Sequence, residues 1–117
     1  MTTRSFVRLD FNQGVATLTL NDPARLNPLT QDLTRGALEA VHAVRDDRRV
    51  RVVVLRGEGR GFCSGADLSE FAAPDAPPAP ELVSHLMGAY GNPLALALRD
   101  LAVPVLAAVH GPVAGGG

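Results

Sequence analysis

Two apolar runs in this chain each open into glycine, and that arrangement constrains the fold more than any other feature. Val50 to Leu55 leads through Gly57-Glu58-Gly59-Arg60-Gly61 into Phe62-Cys63-Ser64-Gly65-Ala66-Asp67, and Pro104-Val105-Leu106-Ala107-Ala108-Val109 leads to Gly115-Gly116-Gly117. A short apolar run bounded by turn residues reads as a buried strand. A strand that ends in glycine leaves bare backbone N–H groups open to a ligand, normally where the next helix starts. Two such junctions, each offering one amide, describe a paired-donor oxyanion site.

The elements between these junctions fit an α/β chain. Phe6 to Asp10 and Val15 to Leu20 are apolar and β-branched, and Phe11-Asn12-Gln13-Gly14 separates them with an Asn and a Gly suited to positive φ, so they read as a β-hairpin. From Thr30 to about Arg45, Leu33, Ala37, Val41 and Val44 recur at spacings of four, four and three, which makes one apolar stripe on a helix capped by Thr30. Gly36 lies inside that helix at a cost of about 1 kcal/mol relative to alanine. The run Val50 to Leu55 is nearly continuous in apolar residues, as for a strand covered on both faces. Strand, strand, helix, strand predicts a βαβ crossover and a parallel sheet. Further on, Pro74, Pro77, Pro78 and Pro80 exclude regular structure from Ala72 to Pro80, which is expected to be a mobile loop. Glu81 to about Tyr90 returns to helical spacing and ends at Gly91, and Asn92-Pro93 restarts a helix that runs to Asp100.

Composition narrows the function. Length fits one domain over residues 1–117, and 46% hydrophobic residues suffice for a core. Eleven basic and twelve acidic residues create no field that argues for nucleic acid or an anionic membrane. No signal pattern or membrane-length apolar run is present, so the expected location is cytoplasmic. Cys63 stands alone, and His42, His85 and His110 are scattered, so no metal site is expected.

Other chemistry-bearing patterns read as structure. Gly57-x-Gly59-x-Gly61 has Phe62 where a dinucleotide fingerprint needs its third glycine. Ser64 has Phe62 and Ala66 where a nucleophile elbow needs glycines. Cys63 reads as a small buried filler, and His85 and His110 as helix-surface and turn residues. Asp67 and Glu70 have the spacing of a capping pair, while Gly65-Ala66 before them permits close approach of a ligand to the backbone.

Four segments in order resemble the enoyl-CoA hydratase/isomerase (crotonase) family. They are Asn21-Asp22-Pro23-Ala24-Arg25-Leu26-Asn27-Pro28-Leu29, Val52-Val53-Val54-Leu55-Arg56-Gly57, Phe62-Cys63-Ser64-Gly65-Ala66-Asp67-Leu68, and Ala107-Ala108-Val109-His110-Gly111-Pro112-Val113-Ala114-Gly115-Gly116-Gly117. The resemblance spans nearly the whole chain but only the N-terminal part, a little under half, of a family member. It implies a crotonase-like ββα spiral fold that stops after the second oxyanion-hole glycine run. It also implies chemistry on acyl-CoA thioesters, most readily hydration of a 2-enoyl-CoA, with double-bond isomerisation or a non-catalytic, partner-dependent acyl-CoA-binding piece as alternatives. By the same resemblance the N–H groups of Ala66 and Gly116 are the oxyanion donors. Substrate contacts fall to Arg25, near the CoA phosphates, and to Leu26, Ser64, Ala66, Asp67, Leu68, Ser69 and Gly116. No separate cofactor is implied, because coenzyme A is part of the substrate. Full-length members form homo-oligomers, and their catalytic carboxylates follow the glycine run, so these 117 residues alone are expected to be inactive.

Overall fold

Backbone twist selects the first turn. The computed structural model describes residues 5–66 and 80–117. Strands β1 (Val7–Asn12) and β2 (Val15–Leu20) pair antiparallel from Val7 opposite Leu20 to Asn12 opposite Val15. Only Gln13 and Gly14 remain for the turn, with φ of 50° and 85°. Positive φ at both central residues is what a two-residue turn matched to right-handed strands requires. The turn is therefore shorter than the four residues expected: Phe11 and Asn12 extend β1, and Gln13 rather than Asn12 takes the left-handed conformation.

After a short 3₁₀ turn at Pro23–Arg25 and the two-residue strand β3 (Pro28–Leu29), helix α1 (Gln31–Arg45) begins as expected. The Thr30 hydroxyl accepts the Leu33 N–H at 3.1 Å, and the stripe Leu33, Ala37, Val41, Val44 is buried. The helix carries the chain over to β4 (Val52–Gly57), parallel to β2 from Val15 opposite Val52 to Leu20 opposite Gly57. Strand β4 starts two residues later than the apolar run, since Arg51 N–H still donates to the Gly14 carbonyl at the hairpin end, and ends two residues later, since Arg56 and Gly57 go on pairing with Thr19 and Leu20.

The four-stranded sheet has the order β1-β2-β4-β6, with β6 (Val105–Ala108) parallel to β4. Its helix-side face carries the core: Leu18 and Leu20 meet Leu33, Val41 and Phe62, while Ala16 and Val53 meet Val44. Two expectations about coverage are corrected. On the other face of β4, Val52 and Val54 are only half-buried, and Arg56 reaches Thr19 Oγ1 at 3.5 Å. Strand β6, read as buried, lies at the sheet edge and pairs with β4 alone, which leaves Leu106 and Val109 more than half exposed among the described residues.

The second helical region does not break where Asn92-Pro93 suggested. Helix α2 (Pro80–Leu86) runs through a π-helical turn (Met87–Gly91) directly into α3 (Asn92–Arg99), and Gly91 keeps helical angles of −67° and −49°. Pro93 has no N–H for the Ala89 carbonyl, and a locally widened turn lets the helix continue without that bond. Pro80 opens α2 instead of closing the loop before it, a position that its fixed φ suits. Residues 72–79 of the expected loop, and the Asp67–Glu70 capping pair, lie outside the described residues. Leu94, Ala97 and Leu98 of α3 pack on the core beside α1.

Two glycines separate flexibility from necessity. A Cβ on Gly36 would touch Val7 Cγ2 at an ordinary 3.4 Å. Gly36→Ala is expected to raise stability by about 0.5–1 kcal/mol through lower chain entropy in the unfolded state. At Gly57 a Cβ would collide with the Phe62 carbonyl oxygen and stand 2.9 Å from Asn27 Nδ2. Gly57→Ala is expected to cost about 1–3 kcal/mol, because neighbouring backbone must move. Urea midpoints with unchanged m-values check both, and a destabilised Gly36→Ala or an unaffected Gly57→Ala contradicts these assignments.

Candidate functional site

The two glycine junctions meet. Strand β5 (Gly65–Ala66) pairs parallel with β3, Pro28 opposite Gly65 and Leu29 opposite Ala66, and just before it Ser64 N–H donates to the Leu26 carbonyl at 2.9 Å. On the opposite side, Phe62 N–H donates to the Pro112 carbonyl at 3.0 Å, Cys63 bridges Val113, and Ala114 N–H donates to the Cys63 carbonyl at 3.1 Å. Residues 62–66 thus form a strip held along both edges. Gly65, at a φ of 91°, brings the junctions into contact: a Cβ there would lie 2.6 Å from the Ala114 carbonyl oxygen and 3.2 Å from the Gly116 nitrogen. No other residue type fits that backbone.

Gly116 sits in the middle of a tight turn. Gly117 N–H closes the turn on the Ala114 carbonyl at 2.8 Å, and Gly115 takes a φ of 54°. Among the described residues no backbone carbonyl accepts the Gly116 N–H. Gly116 and Ala66 are both exposed and both line one cavity of about 320 Å³ between α1, α3 and β5. Its walls include Leu18, Leu29, Val41, Leu94 and Leu98, with Thr34 and Asn92 among the few polar groups, and its described lining contains no charged side chain. Such a space takes an uncharged apolar group, and backbone donors at its rim can meet an oxygen that the group carries. A larger, open groove of about 750 Å³ between β1 and α1 holds neither glycine junction.

The other residues named from sequence divide by place. Leu26 and Ser64 belong to the β-strip rather than the cavity lining, and Arg25 lies at the surface with Nη1 3.6 Å from Asp22 Oδ2. Asp67, Leu68 and Ser69 lie outside the described residues. Cys63 is 1% exposed, and burial pushes its thiol pKa up, so it stays neutral and fills the core beneath the strip. His110 Nε2 is 2.7 Å from the Gly59 carbonyl oxygen, an exposed contact that ties the end of β6 to the loop after β4; neither it nor His85 lines the cavity. Among the described residues no group of three His, Cys, Asp or Glu could hold a metal ion, and no helix is long and apolar enough to cross a membrane.

Sequence reasoning passed over Asn27. Its side chain is fully buried and its φ is 51°. Oδ1 accepts the Asp22 N–H at 2.7 Å, while Nδ2 donates to the carbonyls of Glu58, Gly61 and Phe62 at 3.0, 3.1 and 3.1 Å. The available signal was an Asn amid turn residues, since Asn is among the few side chains that take left-handed angles readily.

The family model for enoyl-CoA hydratase/isomerase matches residues 10–117. The chain is 39% identical over 112 residues to a 1,2-epoxyphenylacetyl-CoA isomerase of Escherichia coli, covering 96% of this chain and 42% of that protein. It is 44% identical over 116 residues to a probable enoyl-CoA hydratase of Mycobacterium leprae, covering 95% and 39%. The chain therefore spans about two fifths of the length of these relatives. Among solved structures, an enoyl-CoA hydratase/carnithine racemase from Magnetospirillum magneticum superimposes with a TM-score of 0.86 at 34% identity, over 97% of this chain and 42% of that one. The α/β architecture is the crotonase-type fold, and the chain belongs to the enoyl-CoA hydratase/isomerase family.

Proposed function

We propose that this chain supplies the acyl-binding and oxyanion-stabilising part of a site that hydrates 2-enoyl-CoA thioesters. The observation that carries the reading is the meeting of Ala66 and Gly116 on one apolar cavity. Their N–H groups would receive the thioester oxygen as negative charge gathers on it, and fixed backbone dipoles need no rearrangement at that moment. Two relatives named for different reactions, an isomerase and a hydratase, match over almost the same stretch, and both names contain a CoA thioester. What this stretch has in common with both is better explained by handling of the thioester than by either proton transfer.

The described cavity lining has no carboxylate or histidine, so the groups that would add water come from outside it. Isomerisation is the second reading, favoured by the name of the Escherichia coli relative. The two differ in which acid or base faces the acyl chain. Arg25, Leu26, Ser64 and residues 67–69 are proposed to contact the CoA portion, and no separate cofactor is required because CoA is part of the substrate.

Titration of the 117-residue chain with butyryl-CoA labelled with ¹³C at the thioester carbonyl tests this. The carbonyl resonance is expected to move downfield on saturable binding, with no hydration of crotonyl-CoA by the chain alone. Ala66→Pro removes one donor and is expected to abolish most of that displacement while circular dichroism stays unchanged. In a chain continued with the C-terminal part of a family member, the same change is expected to lower kcat by about 10²–10³-fold. Saturable binding with an undisplaced carbonyl contradicts the donor assignment.

A further inference from the structure

We propose that Asn27 is a positioning residue for the paired donors, setting the place of Ala66 and Gly116 without touching substrate. The inference rests on the donor reading above. Asn27 is absent from the cavity lining, yet each polar atom of its carboxamide is engaged. Three of its four side-chain contacts hold the carbonyls of Glu58, Gly61 and Phe62, the loop that delivers the chain to β5. Two amide protons shared among three oxygens fix a loop that lacks a regular ladder of its own.

From that loop the coupling passes outward through backbone hydrogen bonds and close backbone contacts. Phe62, whose carbonyl Asn27 holds, gives its N–H to Pro112. Cys63 then accepts from Ala114, and Ala114 accepts from Gly117 in the turn around Gly116. Gly65 lies against the Gly116 nitrogen, and Ala66 follows it. A displacement of the loop would therefore move both donors relative to each other, not one alone. The fold also leaves room for the carboxamide: a Cβ on Gly57 would stand 2.9 Å from Nδ2.

Asn27→Asp is the sharpest probe, because it keeps size and the Oδ1 acceptor but sets an oxygen against three carbonyl oxygens. Carbonyl-labelled butyryl-CoA and free coenzyme A are titrated into wild type and variant, with circular dichroism as the fold check. The expected result is a loss of about half or more of the downfield displacement in the variant. Affinity for coenzyme A, which has no acyl carbonyl, is expected to stay within about threefold of wild type. A general loss of structure would lower both. If Asn27→Asp does not fold, Asn27→Gly, which accepts the positive φ and buries no charge, takes its place with the same expected result. A folded variant with the full displacement overturns the proposal, and so does failure of both variants to fold, which would make the carboxamide a folding determinant only. An undisplaced carbonyl in wild type refutes the donor reading itself and takes this inference with it.

Discussion

Three stretches of backbone, residues 26–29, 61–66 and 111–114, lie side by side with little side-chain thickness between them. The contacts show how little room there is. A Cβ on Gly61 would stand 3.1 Å from both Leu26 Cδ2 and Pro112 Cδ, and one on Gly111 would collide with the Arg60 carbonyl oxygen. Such proximity needs glycine, and glycine alone does not hold a shape, since it loses more conformational entropy on ordering than any other residue. The holding comes from hydrogen bonds across the strip and from the buried Asn27 carboxamide at its base. Geometry at the cavity follows from that combination of permissive backbone and fixed polar anchors.

The sheet and helix α1 act as the frame for this strip. Parallel pairing of β2, β4 and β6 places the ends of β4 and β6 at the same edge of the sheet, so the two glycine junctions emerge side by side. Ligand sites at the carboxyl ends of parallel strands arise for this reason in many α/β proteins. Here the helix that follows β3 closes one wall of the cavity and α3 another, leaving an apolar space with backbone dipoles at one side. Binding and polarisation can be supplied by such a place; proton transfer needs side chains that its described lining does not contain.

Much of this was legible in the residues. The α1 stripe, its Thr30 cap and the βαβ crossover follow from periodicity and end signals, which are local. The contact between the two junctions was legible as chemistry, two amides at two strand ends, and through the family resemblance. Less legible were features set by the neighbourhood of a segment. The apolar residues of β6 read as a buried strand, whereas within these 117 residues Leu106 and Val109 lie at an exposed edge, because strand propensity does not report how many neighbours a strand has. Asn92-Pro93 carries a helix-start signal, yet a widened turn absorbed the missing Pro93 bond. Asn27 was invisible as an anchor because the three carbonyls that its Nδ2 holds lie 31 to 35 residues away in sequence.

The central claim is that the Ala66 and Gly116 amides serve one point in one cavity. Proton–nitrogen correlation spectra of the ¹⁵N-labelled chain, recorded through a butyryl-CoA titration, test it most directly. Both amide protons should move downfield together and with a single midpoint, as expected for two donors sharing one acceptor oxygen. Movement of only one of them, or of neither, at ligand saturation would contradict the paired site.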